Sequence, residues 1–494
     1  MDIRKTLKNI HNNITELVFL LPFLIVSFYG FGDLRIVLFI YFLPVFIFSV
    51  FIFFLDKGSE IYLPYGYIYI LIAIIVSAIS FIFSPIKHLI IIDYIGFLLG
   101  FVIFLLLIQN NTEEKMIYIY PFLFFIAIYA LYTGIVNKGE FTSTLNNSNT
   151  LAFISILILG MTLEKKKYYI SILFIIIIIL TKSIGALLSL MLTSFYYAFK
   201  NRENIDFRKN YLIIIIMFII FIFFVFHIDP NSVYDRIRWW KFSIDMFLER
   251  PLTGWGYSSF TYIGERYISG DLKSIYTHNY FIEVLSDFGV LFFIPWLYFL
   301  YMLLKLSRGF YNYTIIAALI CSFFDFGPNT VSGWWFFMYI AAKSLKDNLY
   351  IFRITEDYKK IKLFVRIYSF FLLISFIFFS FKYFDLYIKN IDIVNQIEKK
   401  DYQIALKLCD DTLKKHPLSI DIVFKKYEIY SYYYAITKDP KDLYGACEAL
   451  EYIVFLNPYS ARIYNVLENL YSYLGDYKSL DDLSKRKKKY LKLI

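Results

Sequence analysis

Cysteine is nearly absent from this chain: Cys321, Cys409 and Cys447 are the three in 494 residues, and no two stand in a C-x-x-C spacing. That excludes a disulfide framework and a thiolate metal site. Cys321 falls inside an apolar run, where it reads as a small buried hydrophobe. Cys409 and Cys447 are open to pairing if their surroundings are extracytoplasmic, and neutral packing is the preferred reading. Histidine is nearly as sparse, at five. No Ser-His-Asp spacing, metal-ligand cluster, P-loop or dinucleotide fingerprint occurs, so hydrolase, ATPase and zinc-enzyme readings lack support and no metal or cofactor is expected. Charge is scarce too, at 18% of residues.

What fills the chain instead is apolar: 59% of residues are hydrophobic and 22% aromatic, with mean hydropathy +0.58. Runs long enough to cross roughly 30 Å of hydrocarbon recur along most of the sequence. They lie at 15–32, 34–55, 61–83, 86–108, 116–136, 149–163, 168–180, 183–199, 211–228, 282–304, 311–326, 331–349 and 363–381. These runs are continuously apolar and lack the alternation of barrel strands, which predicts an all-α, polytopic transmembrane bundle of about 12–13 helices. The first run has no small-residue cleavage site behind it and reads as a retained helix.

The net charge of +10 is not a nucleic-acid signature, because its lysines and arginines sit in short loops. Arg4, Lys5 and Lys8 precede the first run; Lys165–Lys167, then Lys200, Arg202, Arg208 and Lys209, then Lys305 and Arg308, then Arg353, Lys359, Lys360 and Lys362 fall in alternate loops. One count of helices puts all of them on the cytoplasmic side. The amino terminus is then inside, and the loop 229–280 and the carboxyl terminus are outside.

Two domains follow: a transmembrane domain over 1–384 and an extracytoplasmic tail over 385–494. The tail is rich in Lys, Asp and Tyr. Asp401-Tyr402 to His416-Pro417 resembles Ala446 to Asn457-Pro458, which is followed by Gly475-Asp476-Tyr477. Amphipathic helices closed by a residue-Pro turn look like tetratricopeptide-type repeats, although the two prolines are 41 residues apart rather than 34. A plain helical hairpin domain is the other reading, and in both the surface suits a protein partner better than a catalytic site. The Lys485–Lys489 run is read as a solvated face or a membrane-surface contact.

The polar loop carries the chemistry. Arg236, Trp240, Ile244 and Phe247 share one helical face, so Tyr234 to Leu248 reads as an amphipathic helix near the outer surface, its aromatic side toward the lipid interface. Arg250-Pro251 ends it, and Gly254 and Gly256 permit a tight turn. Arg236, Arg238 and Arg250 are either anchors to lipid phosphates or two-toothed ligands of a lipid-linked diphosphate. His278, beside Asn279 at the start of the next helix, is either structural or a base for an acceptor hydroxyl.

The ordered set Arg236-x3-Trp240, Pro251-Leu252-x-Gly254-x-Gly256, His278-Asn279 and Asp287-x-Gly289 resembles the signature of the O-antigen ligase and polysaccharide polymerase family. The resemblance implies a metal-independent, inverting membrane glycosyltransferase in a bacterial cytoplasmic membrane. It would take a glycan from a polyprenyl diphosphate carrier on the outer face and pass it to a glycan, envelope or protein acceptor. It implies that Arg236 binds diphosphate and that His278 is the base or orients substrate, with Arg238, Arg250, Trp240 and Asn279 around the substrate. Family members often carry Ser-Arg-Gly-Ala at the outer end of an earlier helix. This chain has Ile184 in place of that arginine, and Lys182 is the nearby cation. The alternative function is a transporter or flippase of envelope glycolipids, which predicts ionisable residues inside helices; Asp93 and Asp325 are the candidates.

Overall fold

The computed structural model describes residues 60–109, 120–143, 147–201, 230–267, 274–345, 348–353 and 359–492, with three single positions between 215 and 222. The expected helices at 15–32 and 34–55, nearly all of 211–228, and the basic residues Arg4, Lys5, Lys8, Arg202, Arg208 and Lys209 lie outside the described residues.

A strand β1 (Glu60–Pro64) opens the described chain. Helices α1 (Tyr67–Phe83), α2 (Lys87–Gln109), α3 (Tyr120–Val136), α4 (Ser148–Glu164), α5 (Tyr168–Leu180) and α6 (Ile184–Lys200) follow. The polar loop contributes α7 (Pro230–Glu249) and the short α8 (Phe260–Ile263). Then come α9 (Tyr280–Leu306), α10 (Gly309–Ser322), α11 (Val331–Ser344) and strand β2 (Leu349–Arg353), which pairs antiparallel with β1. Helix α12 (Lys359–Glu398) leads into the tail, which holds α13 (Tyr402–Lys415), α14 (Ile420–Thr437), α15 (Pro440–Leu456), α16 (Ala461–Leu474) and α17 (Tyr477–Tyr490).

The all-α expectation holds apart from the two-stranded ladder, which apolar content alone misassigned: β1 falls at the start of the run read as helix 61–83, and β2 at the end of 331–349. Among the described residues two helices are long and apolar enough to cross a membrane, Lys87–Leu105 and Tyr280–Leu306. The others of the bundle have 13 to 17 residues, because polar turns such as Lys165–Lys167 and Thr181–Ser183 cut the apolar runs. At 1.5 Å per residue such helices rise about 20–26 Å.

An aromatic column holds the bundle together. Phe97 stacks on Trp334 at 5.1 Å and on Tyr257 at 4.7 Å, and meets Phe288 at 5.0 Å. Trp334 and Trp335 donate their indole N–H to the carbonyls of Phe97 and Gly96, at 2.8 and 2.6 Å, so two large rings are buried without orphaned donors. Gly100 makes room, since a Cβ there would lie 2.0 Å from Trp334 Nε1. The outside of the bundle is apolar as well: Ile68, Ile75, Ile82, Ile172, Ile294 and Leu297 are exposed, a covering suited to lipid rather than water.

The two ends of the bundle differ. Glu164 accepts the amide of Phe310 at 2.7 Å, and Lys200 lies over the Tyr313 ring, so the turns bearing Lys165–Lys167, Lys200 and Arg308 gather at one end. At the other, Arg250 Nη1 donates to Phe83 O and the His88 ring bonds Leu456 O of the tail. The polar loop and the tail therefore share an end.

No linker marks residue 384/385: α12 runs through it, because no glycine or proline interrupts 359–398. Helices α13 to α17 then pack neighbour on neighbour. Cys409 and Cys447 are buried and unbonded. Burial pushes their thiols up, to about 12 and about 11.

Candidate active site

Helix α7 forms as the periodicity predicts, but rotated. The side packed inward is Trp239, Phe242, Ser243 and Met246, whereas Ile244 is exposed. Phe242 and Met246 join Ile86, Ile90, Trp255 and Phe260 in a small core of their own beneath the loop. Ser243 donates to Ser286 Oγ at 2.8 Å, which ties α7 to α9. The inward side wins because it meets α9 and the Trp255 turn at once, an arrangement that helical spacing does not reveal.

The Pro251-Leu252-x-Gly254-x-Gly256 segment is a backbone dock. Trp255 and Gly256 donate to the carbonyls of Ser286 and Asp287, at 3.0 and 2.7 Å, and Val290 N donates back to Pro251 O at 2.8 Å. These carbonyls are available because α9 breaks at Gly289, whose φ of 71° and ψ of −178° are non-helical. A Cβ on Gly254 would lie 2.4 Å from Asp287 C, and one on Gly289 2.3 Å from Leu252 O. The Asp287 carboxylate accepts from Ser258 N, Ser259 N and Ser259 Oγ, at 2.8, 3.2 and 2.8 Å. Both the glycines and Asp287 thus build the loop rather than face a ligand.

The same holds at the start of α9. Asn279 caps it, its Oδ1 accepting Ile282 N at 3.1 Å. Glu283 in the first turn accepts from Thr277 N and Thr277 Oγ1, each at 2.8 Å. This pairing fixes Thr277 and leaves His278 in the left-handed region, at φ 55°. The imidazole stacks on Trp239 at 5.0 Å and meets the edge of Phe326 at 4.8 Å. Tyr276 stacks on the same Phe326 at 4.3 Å. Burial, with Asp93 and Glu283 adding to it, pushes the Tyr276 phenol well above its ordinary range, so it stays protonated.

One turn receives both predicted catalytic groups. After α10 the chain bends through Phe323–Phe326, and Arg236 Nη1 donates to Phe324 O at 2.7 Å. Asp325, next in sequence and 2% exposed, stands with Oδ1 3.5 Å from His278 Nδ1, within ion-pair reach although not aligned as a hydrogen bond. Arg236 and His278, 42 positions apart, are thus brought to adjacent residues of a third element. Gly185, at the start of α6, packs closely on Phe324, since a Cβ there would lie 3.1 Å from Phe324 Cβ, so the Lys182 turn adjoins as well. Lys182 is exposed there.

The remaining expectations divide. Trp240 Nε1 donates to His278 O at 3.4 Å, which supports the histidine's backbone. Arg250 bonds Phe83 O at 3.2 Å and lies 4.2 Å over the Trp255 ring, a staple between loop and α1. Arg238 lies over Tyr234 at 5.8 Å, away from the turn that Arg236 contacts. Asp325, Trp239 and Phe326 were not singled out for this site by sequence. Asp325 enters the sequence reading only as a candidate residue for transport. Among the described residues no three His, Cys, Asp or Glu side chains converge to hold a metal ion.

No curated protein matches the chain. Residues 169–297 do match a protein family described as O-antigen ligase, a stretch that contains Lys182, Arg236, the glycine dock and His278. The match covers about a quarter of the 494 residues, and it likens the segment that carries the site to the O-antigen ligase family.

Proposed function

We propose that the protein transfers a glycan from a polyprenyl diphosphate carrier to an acceptor hydroxyl at the end of the bundle where the polar loop and the tail meet, without a metal ion. The observation that carries this is the meeting of Arg236 and His278 at the Phe324-Asp325 turn. A guanidinium has five N–H donors, so Arg236 can hold the turn with one and clamp a diphosphate with others. Lys182 adds a second positive charge from the α5–α6 turn.

In the displacement the acceptor oxygen attacks the anomeric carbon as its bond to the diphosphate breaks. Arg236 and Lys182 stabilise charge growing on the departing diphosphate. With Nδ1 turned to Asp325, Nε2 of His278 is the nitrogen left to take the acceptor's proton, and Asp325 offsets the charge on the imidazolium. Substitution of His278 or Arg236 by Ala should lower transfer by about 10²–10⁴-fold with normal membrane insertion. Transfer assayed with purified lipid-linked glycan checks this, and activity surviving both changes overturns it. Accumulation in a deletion strain separates the two acceptor classes: a lipid-linked single unit marks a polymerase and a lipid-linked long chain a ligase.

Transport is the weaker reading. Glu283 and Asp287, the acids buried within α9, are bound by Thr277 and by Ser258 and Ser259, so they brace the loop rather than line a path.

A further inference from the structure

The tail is fastened to the site loop. Glu249, at the end of the helix carrying Arg236, accepts from Arg266 Nη1 at 2.6 Å and from Tyr267 OH, and pairs with Lys492 Nζ at 2.8 Å. Ser460 Oγ donates to Glu265 at 2.6 Å, Lys492 N donates to Arg266 O at 2.9 Å, and Tyr459 packs edge-on against Trp255. The last carbonyl of α15, Leu456 O, accepts from His88 at the mouth of the bundle. Whatever α15 presents is therefore held at a fixed place relative to the loop.

What it presents is a stripe of rings and carboxylate. Tyr444, Glu448, Tyr452 and Phe455 are all exposed and follow one another along a single helical face, while the opposite face fills the tail's core. Tyr452 and Phe455 are stacked, 5.9 Å apart and 17° from parallel. With Asp476 at the rim and Cys447 on the floor, the stripe borders a concavity of about 420 Å³. Glu451 is committed to Arg486 at 2.6 and 2.8 Å, which leaves Glu448 as the carboxylate open to a ligand.

We infer that this groove is a saccharide-binding site for the glycan being transferred. Aromatic faces take the C–H faces of pyranose rings, and carboxylates accept from their hydroxyls, a combination an aliphatic patch would not supply. The size agrees: a concavity of about 420 Å³ suits a ligand of a few sugar rings. The inference rests on the proposed glycan transfer for the source of the saccharide and on the groove's own chemistry for its class.

The test uses the full chain in lipid nanodiscs on an array of neutral and acidic oligosaccharides, beside Phe455→Ala, Tyr444→Ala, Glu448→Gln and His278→Ala. The expected result is retention of at least one saccharide class, weakened roughly tenfold by the groove variants and unchanged by His278→Ala. Phe455 is 75% exposed, so its truncation should leave thermal unfolding in place. Equal retention by the groove variants, or no saccharide retained at all, overturns the inference. His278→Ala reports on transfer alone, so failure of the transfer reading leaves the array result legible. With transfer measured, a raised KM for lipid-linked donor in Phe455→Ala supports the assignment to the transferred glycan, and a raised KM for acceptor alone overturns it.

Discussion

Gly254 and Gly289 face one another across the dock, each in a left-handed conformation and each against the other segment's backbone. Alanine at either costs about 1–2 kcal/mol from the positive φ alone, and backbone cannot yield as a flexible side chain does. Gly254→Ala and Gly289→Ala should both lower the thermal unfolding midpoint and the yield of folded protein, while Gly139→Ala, whose Cβ would meet nothing within 4 Å, costs its φ strain alone. Asp325 makes a different prediction. Asp325→Asn keeps the size of a buried side chain but removes the charge opposite His278. It should lower kcat about a hundredfold with KM for the proposed lipid-linked donor nearly unchanged, because it misorients the proposed base without touching the carrier. An unchanged kcat would assign the 3.5 Å approach to packing alone.

Helix α7 shows how an element's role depends on what it meets. Its amphipathic pattern was legible, and so was its end at Arg250-Pro251; its inward side was not, since Trp239 and Trp240 are equally apolar and only contact with α9 chooses between them. At its far end Glu249 joins three elements. Burial opposes its ionisation, and hydrogen bonds from Lys492 and Tyr267 together with Arg266 outweigh that, so its carboxyl titrates below the ordinary glutamate range. A carboxyl depressed by folding contributes stability above its unfolded value, and that contribution is lost as pH falls below about 4.3 and through the folded value. The tail should loosen from the loop over that acid window, read as faster amide hydrogen exchange at Glu265–Tyr267. Glu249→Gln should show the faster exchange at neutral pH already and little further change with acid.

The molecule as a whole sorts its charges by end. Lysines and arginines of the short turns gather at one end of the bundle, and the polar loop, the His278 site and the tail at the other. A membrane-impermeant maleimide should therefore label Tyr477→Cys in intact cells and Lys305→Cys only after permeabilisation, against a low background because the native cysteines are buried. Labelling of both in intact cells would refute the orientation. The sequence alone determined the helical class, the apolar exterior, the alternation of basic turns and the residues of the loop, since these follow from composition and from period along one chain. It also singled out Arg236 and His278. Tertiary structure decided the rest: that Phe324-Asp325 joins the two, that Asn279, Arg250 and the glycines build rather than bind, and that the tail is clamped to the loop through Glu249. Those facts depend on which residues far apart in sequence are packed together, and short-range periodicity carries no record of that.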